Sequence, residues 1–385
     1  MKKVEELIKK TFQSKVKYRT IQEICSITRG RVMSKEYIKN NEGKYSVYSS
    51  QTENDGELGK ISTYDFDGEY LTWTTDGANA GSVFYRNGKF SVTNVCGLLK
   101  VISNEITTKF LYYILSKETK KYVNSGMGNP KLMSNVMAKI HIPVPPIEVQ
   151  NEIVRILDNF TELEAELEAE LEARKEQYNY YFYKLMNSNQ YRKIKLSEIG
   201  KVKMCKRILK NQTTPEGDIP FYKIGTFGKK ADAYISEETF KELKSKYSYP
   251  KKGDILISCS GTIGRTVVFD GKPAYFQDSN IVWLEHDETI ITNSFLKYCY
   301  RMSPWRIATG GTIARLYNDN ILNAEVLVPT LDEQERIVSI LDRFDKICND
   351  ITEGIPAEIE ARRKQYEYYR DKLLNFKELK VENKE

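Results

Sequence analysis

The sequence predicts an α/β protein in which two similar globular domains with twisted sheets are separated by two long helices that form an antiparallel coiled coil. Three observations predict this fold. An internal repeat covers both halves of the 385-residue chain, two segments carry a long apolar stripe at helical spacing, and the regions around them alternate strand-like runs with turn signals. A chain of this length also suits more than one domain.

The repeat is clearest in two blocks. Residues 145–160 (PPIEVQNEIVRILDNF) recur as residues 329–344 (PTLDEQERIVSILDRF), with eight of sixteen positions identical. Residues 171–187 (LEARKEQYNYYFYKLMN) recur as residues 359–375 (IEARRKQYEYYRDKLLN), with ten of seventeen identical. The pattern predicts a pseudo-two-fold molecule made of two copies of one unit. A duplication without functional meaning is the alternative.

The repeated blocks predict two long spacer helices, in residues 142–187 and residues 326–385. Apolar residues recur there at three-, four- and seven-residue steps, which gives one apolar side along each helix. Gly354 and Pro356 predict a kink or a short break in the second helix. Forty residues of helix would be about 60 Å long. Pairing with a second helix is the simplest way to bury such a stripe.

The remaining segments predict a helical N-terminal segment (residues 1–18), a first globular domain (residues 19–141) and a second globular domain (residues 188–325). Both domains contain short β-branched and aromatic runs separated by Asn-Gly and Asp-Gly turns. The predicted strands lie at residues 45–48, 70–73, 254–258 and 280–284. A helix is predicted after the strands of each domain, at residues 109–124 and 293–307.

Charge is segregated along the chain. The first and second globular domains carry net charges of +4 and +7, whereas the two spacer segments carry −6 and −3. Solvated helix faces would explain the acidic spacers but not the shared positive sign of the domains. Two basic domains joined by acidic spacers favour a partner with phosphate groups.

The sequence lacks the patterns that would predict a membrane span, secretion, a zinc site or a known catalytic motif. No run of eighteen apolar residues predicts a membrane span, and no apolar leader predicts secretion. The six cysteines form no Cys-x-x-Cys pair and only two histidines occur, which argues against a zinc site and predicts reduced core thiols in a cytoplasmic protein. Neither a phosphate-binding Gly-x-x-x-x-Gly-Lys loop nor an adenine-methyltransferase Asn-Pro-Pro-aromatic motif is present. These absences favour a binding protein.

Residues 142–158 (IPVPPIEVQNEIVRILD) and residues 328–342 (VPTLDEQERIVSILD) resemble the start of the conserved helical region in type I restriction–modification specificity subunits. The resemblance extends to the layout of nearly the whole chain, with two variable domains that are each followed by a conserved helix. One departure is Thr330, where the first copy has Pro146. The resemblance implies a non-catalytic subunit that binds double-stranded DNA. Each domain would recognise one half of a bipartite, asymmetric site.

The resemblance also implies partners. Two modification subunits would methylate adenine with S-adenosylmethionine, and two optional restriction subunits would use ATP and Mg²⁺, so that this chain itself needs no cofactor. Exposed members of the tyrosine-rich segments 178–183 and 366–369 are predicted to contribute to these contacts, whereas packing of the helix pair is the favoured role for Tyr181 and Tyr369. Two other classes of function remain open: a coiled-coil scaffold that bridges proteins without DNA, and an enzyme with an unrecognised site.

Candidate DNA-binding residues follow from base chemistry. Arg and Lys suit guanine, Asn and Gln suit adenine, and small or aromatic side chains suit the thymine methyl group. In the first globular domain the candidates are Arg29, Arg31, Trp73, Thr75, Asn79, Asn129 and Lys131. In the second they are Arg207, Lys223, Lys229, Ser260, Thr262, Arg265 and Arg315. Residues 76–81 and 260–264 are predicted to occupy matching places, with glycines that let the backbone approach DNA. Ordinary hairpin loops are the alternative.

The first spacer helix contains three tandem Glu-Leu-Glu-Ala tetrapeptides in residues 162–173. These residues are strong helix formers, and a leucine at every fourth position keeps an apolar stripe that drifts slowly. A low-complexity acidic helix is the simple interpretation. The resemblance implies a further role, because similar tetrapeptide repeats set the gap between half-sites in some family members.

Overall fold

The structure is a computed structural model and describes residues 5–8, 15–126, 128–307 and 314–379. The chain divides into two compact units. The first unit comprises Met1–Glu168 and Glu358–Glu385, and the second unit comprises Ala169–Ala357. Each unit therefore combines one globular domain with parts of the long helices.

The first half of the chain is mainly strand, followed by one very long helix. Its strands are β1 (Lys15–Thr20), β2 (Cys25–Arg29), β3 (Glu42–Tyr48), β4 (Glu57–Ile61), β5 (Phe66–Thr74), β6 (Val83–Val92), β7 (Cys96–Val101) and β8 (His141–Val144). Its helices are α1 (Ile21–Ile24), α2 (Lys35–Asn40), α3 (Thr108–Glu118), α4 (Ser134–Met137) and α5 (Ile147–Met186). Residues 5–8 are also helical.

The second half repeats this order with shorter strands. Its strands are β9 (Arg192–Lys195), β10 (Lys201–Lys203), β11 (Ile219–Tyr222), β12 (Tyr234–Ile235), β13 (Ile255–Ser258), β14 (Thr266–Val268), β15 (Tyr275–Phe276), β16 (Ile281–Glu285), β17 (Glu325–Val328) and β18 (Lys377–Glu378). Its helices are α6 (Leu196–Ile199), α7 (Glu237–Lys246), α8 (Asn293–Arg301), α9 (Asn318–Leu322), α10 (Leu331–Asn349) and α11 (Ile355–Leu373).

The first unit contains two sheets. Six strands form one sheet in the order β2-β7-β5-β6-β3-β4, in which only the β3–β6 pair is parallel. The other sheet has the order β18-β1-β8 and joins the two ends of the described chain. The hydroxyl of Tyr18 donates to the carbonyl of Phe376 over 3.1 Å. Residues 1–18 are predicted to be helical, and 5–8 are helical, whereas 1–4 and 9–14 lie outside the described residues. Residues 15–18 form a strand instead, in which Val16 is buried between polar neighbours, as in a half-buried strand.

The core of the first unit contains the N-terminal part of α5 and the C-terminal part of α11. Ile153 and Leu157 of α5 and Leu373 of α11 are buried in the same cluster as the residues of α3. Phe160 stacks on Tyr369 with ring centroids 5.7 Å apart, and Arg363 pairs with Glu164 over 2.7 Å. The apolar stripes of these helices therefore pack on the globular domain as well as on each other.

The second unit is built from smaller sheets. Their orders are β10-β16-β13-β14, β12-β11-β15 and β17-β9. Tyr178 and Phe182 of α5 share a core with Ile337 and Leu341 of α10. The ring of Phe344 lies 5.8 Å from Tyr178 and 6.0 Å from Tyr181. Segments of the two spacer helices therefore pack together in this unit as well.

The predicted break in the second spacer helix is confirmed. Helix α10 ends at Asn349 and α11 begins at Ile355. Gly354 is buried in the turn between them, where an added Cβ would lie 2.5 Å from the carbonyl oxygen of Lys346 and 2.7 Å from that of Asp350. Only glycine allows this close approach. The predicted α/β class and all four predicted strands are also confirmed, although α3 and α8 end earlier than predicted.

A buried glutamine repeats in both units. The Gln150 side chain donates to the carbonyls of Glu105 and Pro145 and accepts from the backbone N–H of Thr107. The Gln334 side chain donates to the carbonyls of Ile290 and Pro329 and accepts from the N–H of Thr292. Both glutamines are fully buried. Each glutamine therefore links the start of a spacer helix to the N-cap residue of the preceding domain helix.

A second repeated contact joins each domain helix to its spacer helix. The hydroxyl of Tyr113 donates to Asp158 over 2.7 Å, and Lys109 pairs with the same carboxylate over 2.6 Å. In the second unit the hydroxyl of Tyr298 donates to Asp342, which Lys297 approaches to 3.4 Å. Burial, followed by the neighbouring carboxylates, raises the pKa of both tyrosines above its ordinary value. Both phenols therefore stay protonated donors at neutral pH.

Candidate nucleic-acid interface

In the first unit, β5 ends in a tight loop at residues 76–81. The hydroxyl of Thr74 donates to the carbonyl of Asn79 and accepts from the N–H of Ser82 over 3.0 Å. The N–H of Gly81 donates to the carbonyl of Thr74 over 2.9 Å. Gly77 and Gly81 have φ angles of +92° and +82°, which glycine adopts without strain. One hydroxyl at the strand end therefore closes the loop.

The second unit closes its loop at residues 260–264 in the same way. The hydroxyl of Ser258, at the end of β13, donates to the carbonyl of Thr262 and accepts from the N–H of Arg265 over 2.9 Å. The N–H of Gly264 donates to the carbonyl of Ser258 over 2.9 Å. Gly261 and Gly264 have φ angles of +65° and +78°. The predicted correspondence between the two loops is confirmed, with one residue fewer in the second.

In each unit a later segment of the chain forms a backbone hydrogen bond beside the loop, at an equivalent position. The N–H of Leu132 donates to the carbonyl of Thr75, and the N–H of Leu316 donates to the carbonyl of Cys259, both over 2.9 Å. The residues before these leucines are Lys131 and Arg315, which therefore occupy matching places. Each unit sets one long cationic side chain beside its glycine-containing loop.

The structure brings four of the candidates in the first domain to this loop region. Asn79 and Lys131 are exposed, and the exposed Asn129 lies in the same segment, where Pro130 accepts from the N–H of Gly77 over 3.0 Å. Arg29 is exposed and donates to the hydroxyl of Ser134 over 3.2 Å, close to the end of that segment.

The other three candidates of the first domain are either paired with an acid or buried. Arg31 pairs with Asp65 over 3.0 Å. Trp73 and Thr75 are buried, at 1% and 3% exposure, and donate to the carbonyls of Leu132 and Val95. Their side chains support the loops from the interior and offer no surface to a base.

Five candidates of the second domain form a connected group. The hydroxyl of Ser260 donates to Asn280 over 2.9 Å, and Arg315 donates to the carbonyl of Ser279 over 2.7 Å. Arg265 donates to the carbonyl of Phe227 over 3.0 Å. This bond brings the turn that contains Lys229 next to the loop that contains the exposed Thr262.

Two candidates of the second domain are placed differently. Lys223 begins the turn that contains Lys229 and pairs with Asp232 over 2.8 Å. Arg207 is exposed in the segment after β10. Among the described residues, no hydrogen bond or ion pair joins Arg207 to the loops.

The candidate side chains that the structure places at the loops are cations, amides and hydroxyls. Burial raises the pKa of the nearest thiol, Cys259, to about 11, so it stays protonated at neutral pH. Within the described ranges, no group of three His, Cys, Asp or Glu side chains is arranged to hold a metal ion. No helix in these ranges is both long and apolar enough to cross a membrane.

Comparison with known proteins identifies the family. The model of the type I restriction modification DNA specificity domain matches the chain twice, over residues 13–173 and 188–361. The chain belongs to this family. It is a specificity subunit of a type I restriction–modification system, the non-catalytic component that recognises the DNA site and assembles with other subunits.

Relatives support the assignment over the full length. A putative type I restriction enzyme specificity subunit of Haemophilus influenzae is 47% identical over 378 residues, which covers 94% of this chain and 96% of the relative. A putative type I specificity subunit of Mycoplasma pneumoniae is 38% identical over 92% of this chain and 96% of its own length. The crystal structure of the specificity subunit from M. genitalium matches 94% of this chain and 96% of that chain with a TM-score of 0.59 and 17% identity. That likeness shows the shared fold.

The sequence interpretation missed several residues that shape this specificity subunit. Gln150 and Gln334 lie inside the repeat, and their identity in both copies was an available signal. Thr74 and Ser258 carried the weaker signal of a hydroxyl side chain before a glycine-containing loop. Arg86 is 3% exposed within β6. Its sequence neighbours gave no sign that an arginine there would be buried.

Proposed function

We propose that this specificity subunit recognises a bipartite, asymmetric site in double-stranded DNA, with each globular domain recognising one half. The observation that carries the proposal is the matched pair of loops. Their backbones are closed by the same hydrogen bonds, whereas their exposed side chains differ. A shared frame with different side chains suits two readers of different sequences.

Lys131 and Arg315 are the pair that we expect to contribute most. Arginine can donate two hydrogen bonds to the O6 and N7 atoms of guanine, and lysine can contact the same edge as a point charge. Because their backbones are fixed at equivalent points, the two side chains would contact equivalent positions of their half-sites. Asn79 and Thr262, which close the equivalent loops, would contact neighbouring bases.

The spacer helices support a further part of the proposal, in which two identical modification subunits bind one chain. Arg174 donates to Glu170 and Gln177 over 3.4 and 3.1 Å, and Lys184 lies over the ring of Tyr180. The second copy repeats this stripe with Arg362, Glu358, Gln365, Lys372 and Tyr368. The spacing of these residues, in steps of three and four, keeps each stripe on one helix side.

Apart from the half-buried Gln365, the residues of both stripes are exposed, so packing within the described chain does not explain why the stripes are repeated. Tyr180 and Tyr368 are 61% and 56% exposed, and aromatic residues with arginine are enriched in protein interfaces. Two equal surfaces suit two copies of one partner. In this proposal the partners hold the cofactors: S-adenosylmethionine in the modification subunits, and ATP with Mg²⁺ in two optional restriction subunits.

Helix α5 supports the proposal that the spacer sets the gap between half-sites. It runs without a break from Ile147 to Met186 through the three tetrapeptides, whereas the second spacer helix is interrupted. An uninterrupted helix transmits a change of length directly. The proposed place of action is the cytoplasm, where reducing conditions suit six buried, unpaired cysteines.

The experiment is to sequence the methylated sites in cells that carry the complex with wild-type, Lys131→Ala or Arg315→Ala specificity subunit. We expect Lys131→Ala to alter the preference in one half-site and Arg315→Ala to alter it in the other, by about 5- to 150-fold at the affected base pair. A continuous site in the wild type, or both variants acting on the same half, would contradict the proposal. A complex that forms without any DNA preference would favour the protein scaffold instead.

A further inference from the structure

A buried arginine holds an unusual exposed turn in the first unit. Arg86 pairs with the carboxylate of Asp55, donates to the carbonyl of Asp55 over 2.6 Å and donates to the hydroxyl of Thr72 over 3.2 Å. Its guanidinium also lies 3.6 Å from the ring centroid of Tyr48. All three nitrogens of this guanidinium thus donate hydrogen bonds, and two of the bonds go to one residue of the turn.

The turn that it holds, Glu53–Gly56, has a left-handed backbone. Asn54 and Asp55 have φ angles of +49° and +52°, and Gly56 follows at +78°. Asparagine and aspartate adopt this conformation more readily than other residues with a Cβ atom, as in type I′ turns, so the contacts of Arg86 add to a local preference. Asn54 is nevertheless exposed, and the Asp55 side chain is 70% exposed. The contacts of Arg86 therefore fix a surface feature.

The second unit shows that the fold does not need a charge at this position. The register of β5 with β6 pairs Trp73 with Val83, and that of β13 with β14 pairs Ile257 with Thr266. Counting along the strands from these pairs places Phe269 where the first unit has Arg86. Phe269 is buried in an aromatic cluster with Tyr249 and Phe276. An apolar residue thus suffices for packing, and burying a charge instead is costly.

The segment that leads into the turn lies against the loop of residues 76–81. The side-chain amide of Asn79 donates to the hydroxyl of Thr52 over 2.8 Å. The hydroxyls of Ser50 and Thr75 both donate to the carbonyl of Val95. Any duplex that approaches Asn79 and Lys131 would therefore also meet the turn.

We propose that the turn Glu53–Gly56 is a base-reading element of the first globular domain, with Asn54 as the reading residue and Arg86 as the residue that positions it. The turn carries Glu53 and Asp55 and no cation, so it is unsuited to phosphate. The amide of Asn54 suits adenine, whose N6 and N7 atoms it can contact together. The pairing of Arg86 with Asp55 neutralises one acid that would otherwise repel the duplex. This inference rests on the proposed function and adds one reader to it.

The test is selection of bound duplexes from a library randomised over the recognised site, using the complete complex. Asn54→Ala should relax one or two adjacent base pairs of the first half-site by about 5- to 150-fold. Arg86→Lys keeps the charge but loses the planar guanidinium, so it should relax the same base pairs. Base pairs of the second half-site serve as an internal reference and should keep their preference.

Asn87→Ala is the matched control, because Asn87 is an exposed asparagine next to Arg86 in β6. It should retain the wild-type preference at every position. Wild-type preference in Asn54→Ala would overturn the inference, whether or not Arg86→Lys folds. Equal loss of preference in both half-sites would overturn it too, since a local reader cannot act on the other domain. A wild-type complex without a split preference would overturn the proposed function itself.

Discussion

The two units share side-chain hydrogen bonds that fix the backbone, but the sheets of their globular domains differ. Gln150 and Gln334 make the same three hydrogen bonds, and Thr74 and Ser258 close their loops with the same contacts. The sheets, by contrast, differ: six strands form one sheet in the first unit, whereas four and three strands form two in the second. The repeated bonds are those that fix backbone position, so the duplication kept a frame and left the surface free to vary.

The largest expected effect concerns the buried glutamines. Gln150→Ala would leave one buried carbonyl, one partly buried carbonyl and one partly buried N–H without their partner, and we expect it to lower the free energy of unfolding by about 2–4 kcal/mol. Gln334→Ala should cost about the same, because its contacts are the same. Calorimetry or denaturant unfolding of the two variants measures both losses.

The exposed glutamines Gln22 and Gln190 provide matched controls in the two units. Their replacement by alanine should change stability by about 0.5 kcal/mol or less. A large loss of stability for only one of the buried glutamines would show that the two glutamines do not have equivalent roles in their units. A loss below about 1 kcal/mol for both would show that the repeated bonds are not what holds the helix starts.

A smaller effect is expected at the exposed tyrosines of the repeated stripe. Tyr180→Ala and Tyr368→Ala should each weaken one of two modification-subunit sites by about 5- to 30-fold, since an interface tyrosine contributes about 1–2 kcal/mol. Titration followed by mass measurement should then show one tight and one weakened site in each single variant, and two weakened sites in the double variant. Unchanged binding in the double variant, or a single site in the wild type, would show that the two stripes are not equivalent sites for modification subunits.

The sequence predicted the frame better than the surface, for a physical reason. The spacer helices were predictable because their apolar stripes repeat at helical spacing, and the break near Gly354 followed from glycine and proline chemistry. The matching loops were predictable from their glycines. The burial of Trp73 and Thr75 was not, because an aromatic or hydroxyl residue at a strand end has the same local pattern whether it faces the core or the solvent. Arg86 could not be found at all, since its partner Asp55 is brought to it only by the pairing of β3 with β4 and β6.

The central claim is that two separate readers are joined by a helical spacer whose length sets the gap between their half-sites. A fourth Glu-Leu-Glu-Ala inserted after Ala173 tests it most directly. Four residues lengthen a helix by about 6 Å and turn it about 40° past a full turn. Duplex base pairs rise about 3.4 Å each. Sequencing of methylated sites should therefore show the gap longer by one or two base pairs, with both half-site sequences unchanged. Altered half-site bases, or an unchanged gap with full activity, would contradict the account.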